Sequence, residues 1–232
     1  MRDKQMNIPS YNIEANHLPL EKFRKMDYLA VERYHLPVEL MMENAGLHLA
    51  RLVVNFLPGR GKILIGIGPG NNGGGGLVAA RRLAAWGFQV HLDIPVRNLN
   101  ELAGVQLERA LATGVSSDPL TDPHLFVDAY LGFSQRLPLP ETVQRSVETS
   151  KAFSCPKISL DIPTGFNKNT GNTLFTPGHI LTLAAMKTEL LSLSGKAEFF
   201  LADLGIPEAM YDLFGISQPY PFRDSGLLKC IF

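Results

Sequence analysis

The stretch Lys62-Ile-Leu-Ile-Gly-Ile-Gly-Pro-Gly-Asn-Asn-Gly-Gly-Gly-Gly-Leu-Val-Ala-Ala-Arg81 decides how the rest of the chain is read. Its first six residues form a dense apolar run closed by glycine, the pattern of a strand buried on both faces of a parallel sheet. From Leu77 onward the spacing of apolar residues is helical. Between strand and helix lies a Gly/Asn-rich segment, with Asn71 and Asn72 side by side and glycine at 73 to 76. Glycines at such a junction permit positive φ angles and a close approach of backbone to ligand, which predicts an anion-binding nest suited to a diphosphate. A plain turn would need fewer glycines and no paired asparagines. The dinucleotide pattern G-x-G-x-x-G also aligns here, at Gly68, Gly70 and Gly73, although that match alone is weakly specific.

Working outward, strand-like runs recur at Phe88–Ile94, Leu125–Tyr130, Ile158–Ile162, Ile180–Ala185 and Phe199–Ala202. Helical patterns lie near 77–86, 100–113, 140–151, 187–194 and 207–214, and two more, 19–34 and 37–55, precede the first strand. This alternation predicts an α/β fold: a three-layer α/β/α Rossmann-like domain with a mostly parallel sheet and N-terminal helices. The whole of 1–232 reads as one domain, with a C-terminal tail over 215–232 marked by Pro219-Tyr-Pro-Phe222.

Bulk composition narrows the function. Lysine plus arginine equals aspartate plus glutamate at 22 each, and 45% of residues are hydrophobic, so a nucleic-acid partner is not expected. Cys155 and Cys230 are far apart and have no ligand-like spacing to the histidines, which predicts neither disulfide nor zinc site. The N-terminus is charged and lacks an apolar signal segment, and no run reaches the ~18 apolar residues of a membrane helix. A cytoplasmic protein without membrane contact is the expectation. His48 reads as a packing or surface residue, and Trp86 as a packing residue at a helix end.

Ligands of open parallel sheets bind beyond the carboxyl ends of the strands. Two carboxylates stand there. Asp128 is embedded in an apolar strand and would be costly to bury without a cation or strong donors; the bland reading is a sheet-end hydrogen bond or cap. Asp161 ends the next strand, three residues before Thr164, and its bland reading is an Asx turn into Pro163. Two strand-end acids and a glycine nest in one crevice form an active-site pattern.

Several ordered strings then carry a resemblance: Met42-Glu-Asn-Ala-Gly46, Gly68-Pro-Gly-Asn-Asn-Gly-Gly74 with Leu77-Val-Ala-Ala-Arg81, Val127-Asp-Ala129, Leu160-Asp-Ile-Pro-Thr-Gly165 and Ala202-Asp-Leu-Gly-Ile-Pro207. From about Leu18 to Phe214 the chain resembles the YjeF N-terminal domain family of NAD(P)H-hydrate epimerases. The resemblance implies interconversion of the R and S forms of hydrated NADH and NADPH, a standalone epimerase, and functional coupling to a separate hydrate dehydratase. It implies a potassium ion held at Asn72, Asp128 and Thr164, the last where the family usually has serine. Substrate contacts would come from Asn71, Asn72, Gly73, Gly74 and Gly75, from Gly132, Phe133, Ser134, Gln135, Arg136 and Leu137, and from Asp161. Family members commonly pair as homodimers, with the N-terminal helices as the candidate surface. Lys187 matches a family lysine, although Ala184-Ala-Met186 replaces most of the string around it.

One departure bears on catalysis. Gly75 stands where the family carries aspartate, which keeps the backbone nest and removes a charge from it. Hydration leaves a hydroxyl on the carbon beside the ring nitrogen, so inversion needs only loss and return of water, or ring opening and reclosure. A carboxyl that gives and retakes a proton would suffice, and Asp161 is the candidate. Two other readings remain: a non-catalytic YjeF-like nucleotide-binding or interaction module, favoured by Gly75, and a nicotinamide-dependent oxidoreductase, for which Asp93 could hold a ribose.

Overall fold

The computed structural model describes residues 6–14, 16–57, 59–216 and 220–232; Pro219, at the head of the expected tail marker, lies outside them, as do the first five residues. The apolar runs become strands β1 (Ser10–Asn12), β2 (His17–Leu18), β3 (Lys62–Ile67), β4 (Gln89–Asp93), β5 (Leu125–Ala129), β6 (Lys157–Leu160), β7 (His179–Leu183), β8 (Met186–Lys187), β9 (Glu198–Ala202) and β10 (Leu227–Ile231). The helices are α1 (Leu20–Tyr34), α2 (Val38–Phe56), α3 (Asn71–Ala85), α4 (Glu101–Ala112), α5 (Glu141–Lys151) and α6 (Glu208–Leu213).

Eight strands form one sheet in the order β1-β10-β9-β7-β6-β5-β3-β4, and β2 pairs with β8 apart from it. Every pairing is parallel except β10 with β9, so the mostly parallel sheet expected from the strand-helix alternation is found. Alternate side chains of each strand face opposite layers. Ile63, Ile65 and Val127 pack under α2, α3 and α4 with Leu52, Leu77 and Ala103, while Leu64 and Phe126 pack with Val143 and Val147 of α5. On that second face, over β7 to β10, Phe23, Met26 and Ala30 of α1 share a cluster with Met210 of α6, Ile180, Phe199 and Leu228. No helix among the described residues is long and apolar enough to cross a membrane.

β3 leads to β4 on one side and the chain then crosses to β5 on the other, so the switch point of the sheet falls between β3 and β5. A crevice opens where strand order reverses, and the loops after β3 and β5 border it.

The structure departs from the sequence reading in several places. The glycine segment is not a loop of positive-φ residues: α3 begins at Asn71, and none of the glycines at 68, 70 or 73 to 76 has positive φ. Their role is close approach. A Cβ on Gly68 would lie 1.5 Å from the Tyr130 carbonyl oxygen, and one on Gly76 would lie 2.7 Å from Ala129 Cβ, so α3 sits where only hydrogen fits. β6 and β7 end sooner than expected, because Asp161 and Ala184 turn into the left-handed region at φ 68° and 60°. The helical pattern at 187–194 resolves into β8 and a 3₁₀ helix, Thr188–Leu193. The tail is no appendage: β10 joins the sheet and holds β1 at its edge, with Ser10 opposite Lys229. Trp86 is 42% exposed rather than packed.

Candidate functional site

A cavity of about 320 Å³ opens at the switch point. Its floor is the start of α3. The first N–H groups of a helix have no intrahelical acceptor, and here the first such bond shown goes from Gly74 N–H to Gly70 oxygen at 3.0 Å. The amides ahead of it, together with the helix dipole, make an anion-binding floor without any left-handed residue. Asn71, at the rim, accepts from the Asn100 side chain at 2.9 Å, and Asn100 caps α4 through Ala103 N–H at 2.8 Å. Helix α2 backs α3 closely, and Glu43 binds Arg81 and Arg82 at 2.7 and 2.8 Å across that contact.

Asp161 stands in the cavity wall, 2% exposed. Left-handed backbone costs an L residue roughly 1–2 kcal/mol, and Asp and Asn are among the few that visit it. The turn is held by Asp161 N–H donating to Leu181 oxygen at 2.7 Å. Its carboxylate is then fixed on both sides: Phe133 N–H donates to Oδ2 at 3.0 Å, and the Lys187 ammonium lies 2.7 Å from Oδ1.

Lys187 is fully buried. Its ammonium also donates to Leu183 oxygen at 2.7 Å and Thr182 Oγ1 at 3.2 Å, and sits 3.8 Å over the Phe23 ring. Burial pushes the lysine below its usual range while the Asp161 carboxylate beside it pulls it back up. The pair is the strongest electrostatic feature of the wall, since removing either charge would leave the other buried alone.

Asp128 is buried one strand away, and its partners are all neutral. Ser159 hydroxyl and Thr164 N–H donate to Oδ2 at 2.8 Å each, and Thr164 hydroxyl donates to Oδ1 at 2.6 Å. A longer contact from Tyr130 N–H, 3.4 Å, completes the set. Burial pushes the carboxyl up, and these bonds oppose that. The sheet-end hydrogen bond weighed for Asp128 is therefore present, as Ser159 faces it across the β5–β6 register.

Of the residues expected to contact substrate, Asn71, Asn72, Gly75, Gly132, Phe133, Ser134 and Asp161 line the cavity. The others lie outside its lining. Gly73 packs on the Gly68 carbonyl and Gly74 on Met42. Gln135 ties the two loops together, donating to Pro163 oxygen at 3.2 Å and accepting from Gly165 N–H at 2.7 Å. Arg136 and Leu137 are exposed. Of the expected potassium ligands, Asp128 and Thr164 bond each other directly, and Leu131 N–H donates to Thr164 Oγ1 at 3.1 Å. Asn72 borders the next residue of that loop: a Cβ on Gly132 would lie 3.1 Å from Asn72 Oδ1 and 2.9 Å from Asp161 Oδ2. The Asn72 amide nitrogen is buried without a partner.

Two functional groups escaped the sequence reading. Asp27 of α1 lines the cavity, half-buried. Its carboxyl is pushed up by burial and by the Asp161 charge, with Lys187 opposing. The signal was an acid on the stripe formed by Leu20, Phe23, Met26 and Ala30. Tyr130 covers Gly66 and donates its hydroxyl to Asp93 at 2.5 Å, so the acid at the end of β4 is already engaged.

Comparison with known proteins bears on this geometry. The family described as YjeF-related protein N-terminus matches residues 38–189. The NAD(P)H-hydrate epimerase of Rhodopirellula baltica is 34% identical over 216 residues, covering 84% of this chain and 87% of that protein. The NAD(P)H-hydrate epimerase of Dehalogenimonas lykanthroporepellens is 37% identical over 211 residues, covering 84% of each. Among solved structures, the crystal structure of yeast ynu0, YNL200c superposes with a TM-score of 0.82 at 24% identity, over 92% of this chain and 99% of that one.

Proposed function

The chain belongs to the YjeF N-terminal family, and on that premise we propose that it is an isomerase of nicotinamide-cofactor repair, interconverting the R and S epimers of hydrated NADH and NADPH. The observation that carries the chemistry is the Asp161–Lys187 pair, buried in the wall of a cavity whose floor is a helix start. The diphosphate of a dinucleotide suits the free amides before Gly74, and the hydrated ring then reaches the wall. There the nitrogen lone pair expels the hydroxyl from the adjacent carbon, and water returns to the planar cation from the other face. Asp161, held by Phe133 N–H and by Lys187, is placed to move a proton at that oxygen. Leu160, Leu183, Leu204, Met41 and Met42, also in the lining, give the ring an apolar seat.

Asn72, Asp128 and Thr164 would hold the potassium ion expected of the family. The support is their hard-oxygen chemistry and the lack of any cation among the four donors that meet the Asp128 carboxylate. A bound ion would supply that missing charge beside Asp128.

The reading extends to a cytoplasmic site of action and to delivery of the S epimer to a dehydratase. It also extends to pairing of two copies through Tyr28, Val31 and Leu40, exposed on the first two helices. Gly75 is what favours the non-catalytic alternative. Against the oxidoreductase stands Asp93, which does not line the cavity at the start of α3 and has one carboxylate oxygen engaged by the Tyr130 hydroxyl.

The experiment is to incubate the protein with purified R hydrate while a dehydratase removes S, and to compare consumption with the spontaneous rate. Acceleration lost in Asp161→Asn is the expected result; a wild type no faster than background would sink the proposal.

A further inference from the structure

Asp27 has no role in the chemistry so far, yet its position is specific. It follows Phe23 by one turn of α1, and Phe23 is the ring over which the Lys187 ammonium rests at 3.8 Å. Asp27 and Asp161 line the same cavity, one from the N-terminal helix and one from the end of β6, and Asp27 feels the charges of both Asp161 and Lys187. Inversion at a carbinolamine carbon makes a demand that one carboxyl meets poorly. Water departs from one face of the ring and must return to the other, and each event needs proton transfer on its own side.

We propose that Asp27 is a second catalytic acid, which works with Asp161 across the cavity so that each carboxyl serves one face of the hydrated ring. The proposal rests on the epimerase reading above. In one direction the carbon–oxygen bond breaks with its electron pair going to oxygen, which takes a proton from Asp27 and leaves as water. The nitrogen lone pair forms the carbon–nitrogen double bond. A second water adds from the opposite face, gives its proton to Asp161, and the double-bond pair returns to nitrogen. One proton has passed from Asp27 to Asp161, and exchange with solvent or the reverse reaction resets the site. The environments suit this division. Burial and the charge of Asp161 favour the protonated form of Asp27, whereas Asp161 keeps an ammonium 2.7 Å away.

The test uses the full chain with each purified epimer in ¹⁸O-labelled water, following configuration by chromatography and oxygen by mass spectrometry, with spontaneous rates subtracted. Wild type is expected to incorporate label with each inversion; inversion without label would overturn the proposal even if no variant folds. A wild type that inverts neither epimer refutes the epimerase reading itself, a separate outcome. In Asp27→Asn, checked for folding by circular dichroism, inversion should fall about 100-fold or more. Label should still enter the epimer whose hydroxyl faces Asp161, without change of configuration. Asp161→Asn should show the complementary preference. Inversion within threefold of wild type in Asp27→Asn, or equal loss of inversion and exchange for both epimers, would mean that Asp27 only supports the fold.

Discussion

Lys187 makes a prediction that can be worked from distances. Replacement by methionine keeps a flexible apolar stem beside Phe23 but withdraws the ammonium from Asp161 Oδ1 and Leu183 oxygen, each at 2.7 Å, and from Thr182 Oγ1 at 3.2 Å. Asp161 would then be a carboxylate 2% exposed, without its counter-charge. Breaking a buried pair from one side costs about 3–5 kcal/mol. At ~2–4 °C per kcal/mol for a chain of this length, the melting temperature should fall by roughly 6–20 °C. The deficit should depend on pH with a definite sign. An uncompensated buried carboxylate binds protons more tightly folded than unfolded, so the folded variant gains relative stability as pH falls, and the deficit is largest at alkaline pH. Adding Asp161→Asn to Lys187→Met should restore at least half the loss, and asparagine suits the left-handed backbone at φ 68°. Calorimetry of wild type, both single variants and the double variant at several pH values completes the cycle. A Lys187→Met protein that melts with wild type at alkaline pH, or a double variant no more stable than Lys187→Met, would refute the claim that the charges are coupled in a dry wall.

Gly75→Asp should fold, because its φ is not positive and the new Cβ meets only Leu160 Cδ2 at 3.1 Å and Ala45 Cβ at 3.9 Å. Gly75 lines the open cavity, so the new carboxylate can stay hydrated near the positive end of α3, and stability should change by no more than about 1 kcal/mol. Turnover should be unchanged or lower; a tenfold gain would make the chain a degenerate binder. Potassium chloride at ten times the dissociation constant should stabilise the fold by about 1.4 kcal/mol relative to choline chloride, seen as a higher melting temperature, and Asp128→Asn should abolish the difference. Equal melts in the two salts would remove the cation site. His48 is buried, and burial, with the Arg51 and Arg82 charges, pushes its imidazole down to about 4. Unfolded histidine takes up a proton near 6.5, so stability present above that pH should be lost as pH falls towards 4, by roughly 3 kcal/mol at ~1.4 kcal/mol per pH unit. His48→Gln should flatten this limb of the pH–stability curve, as read from chemical denaturation.

Why some of this was legible in the sequence and some not has physical reasons. Buried parallel strands announce themselves because both faces must be apolar, and Ile63, Ile65 and Val127 were readable for that reason. Asp161 and Asp128 stood out because acids at the ends of such strands need an explanation. The glycine segment was located correctly and explained wrongly: backbone freedom was inferred, but the cause is steric, a helix pressed against the Tyr130 carbonyl and Ala129. That contact depends on residues more than fifty positions away and leaves no local trace. The same holds for Lys187, whose partner Asp161 is 26 residues earlier by number and was not tied to it by any spacing rule. Asp27 did leave a trace, an acid on an apolar helical stripe, but its meaning required knowing what the stripe faces. β10, which also pairs with β9, was read as part of a tail, and β1 was missed because its three residues find their partner, β10, only at the opposite end of the chain.

That last pairing sets a schedule for biosynthesis. β2 waits for β8, with His17 opposite Met186, and β1 waits for β10, with Asn12 opposite Ile231. At ~5–20 residues per second, the ribosome takes roughly ten to forty seconds to bring the second pair within reach of each other. Until β8 has been made, β2 lacks its partner and α1, which follows it, has Leu20, Phe23, Met26 and Ala30 uncovered. Such a stripe invites a chaperone or a neighbouring nascent chain. A translation product stopped short of Met186 lacks the strand that seats α1, and with it one wall of the cavity, so catalytic competence doubles as a proofreading mark of uninterrupted synthesis.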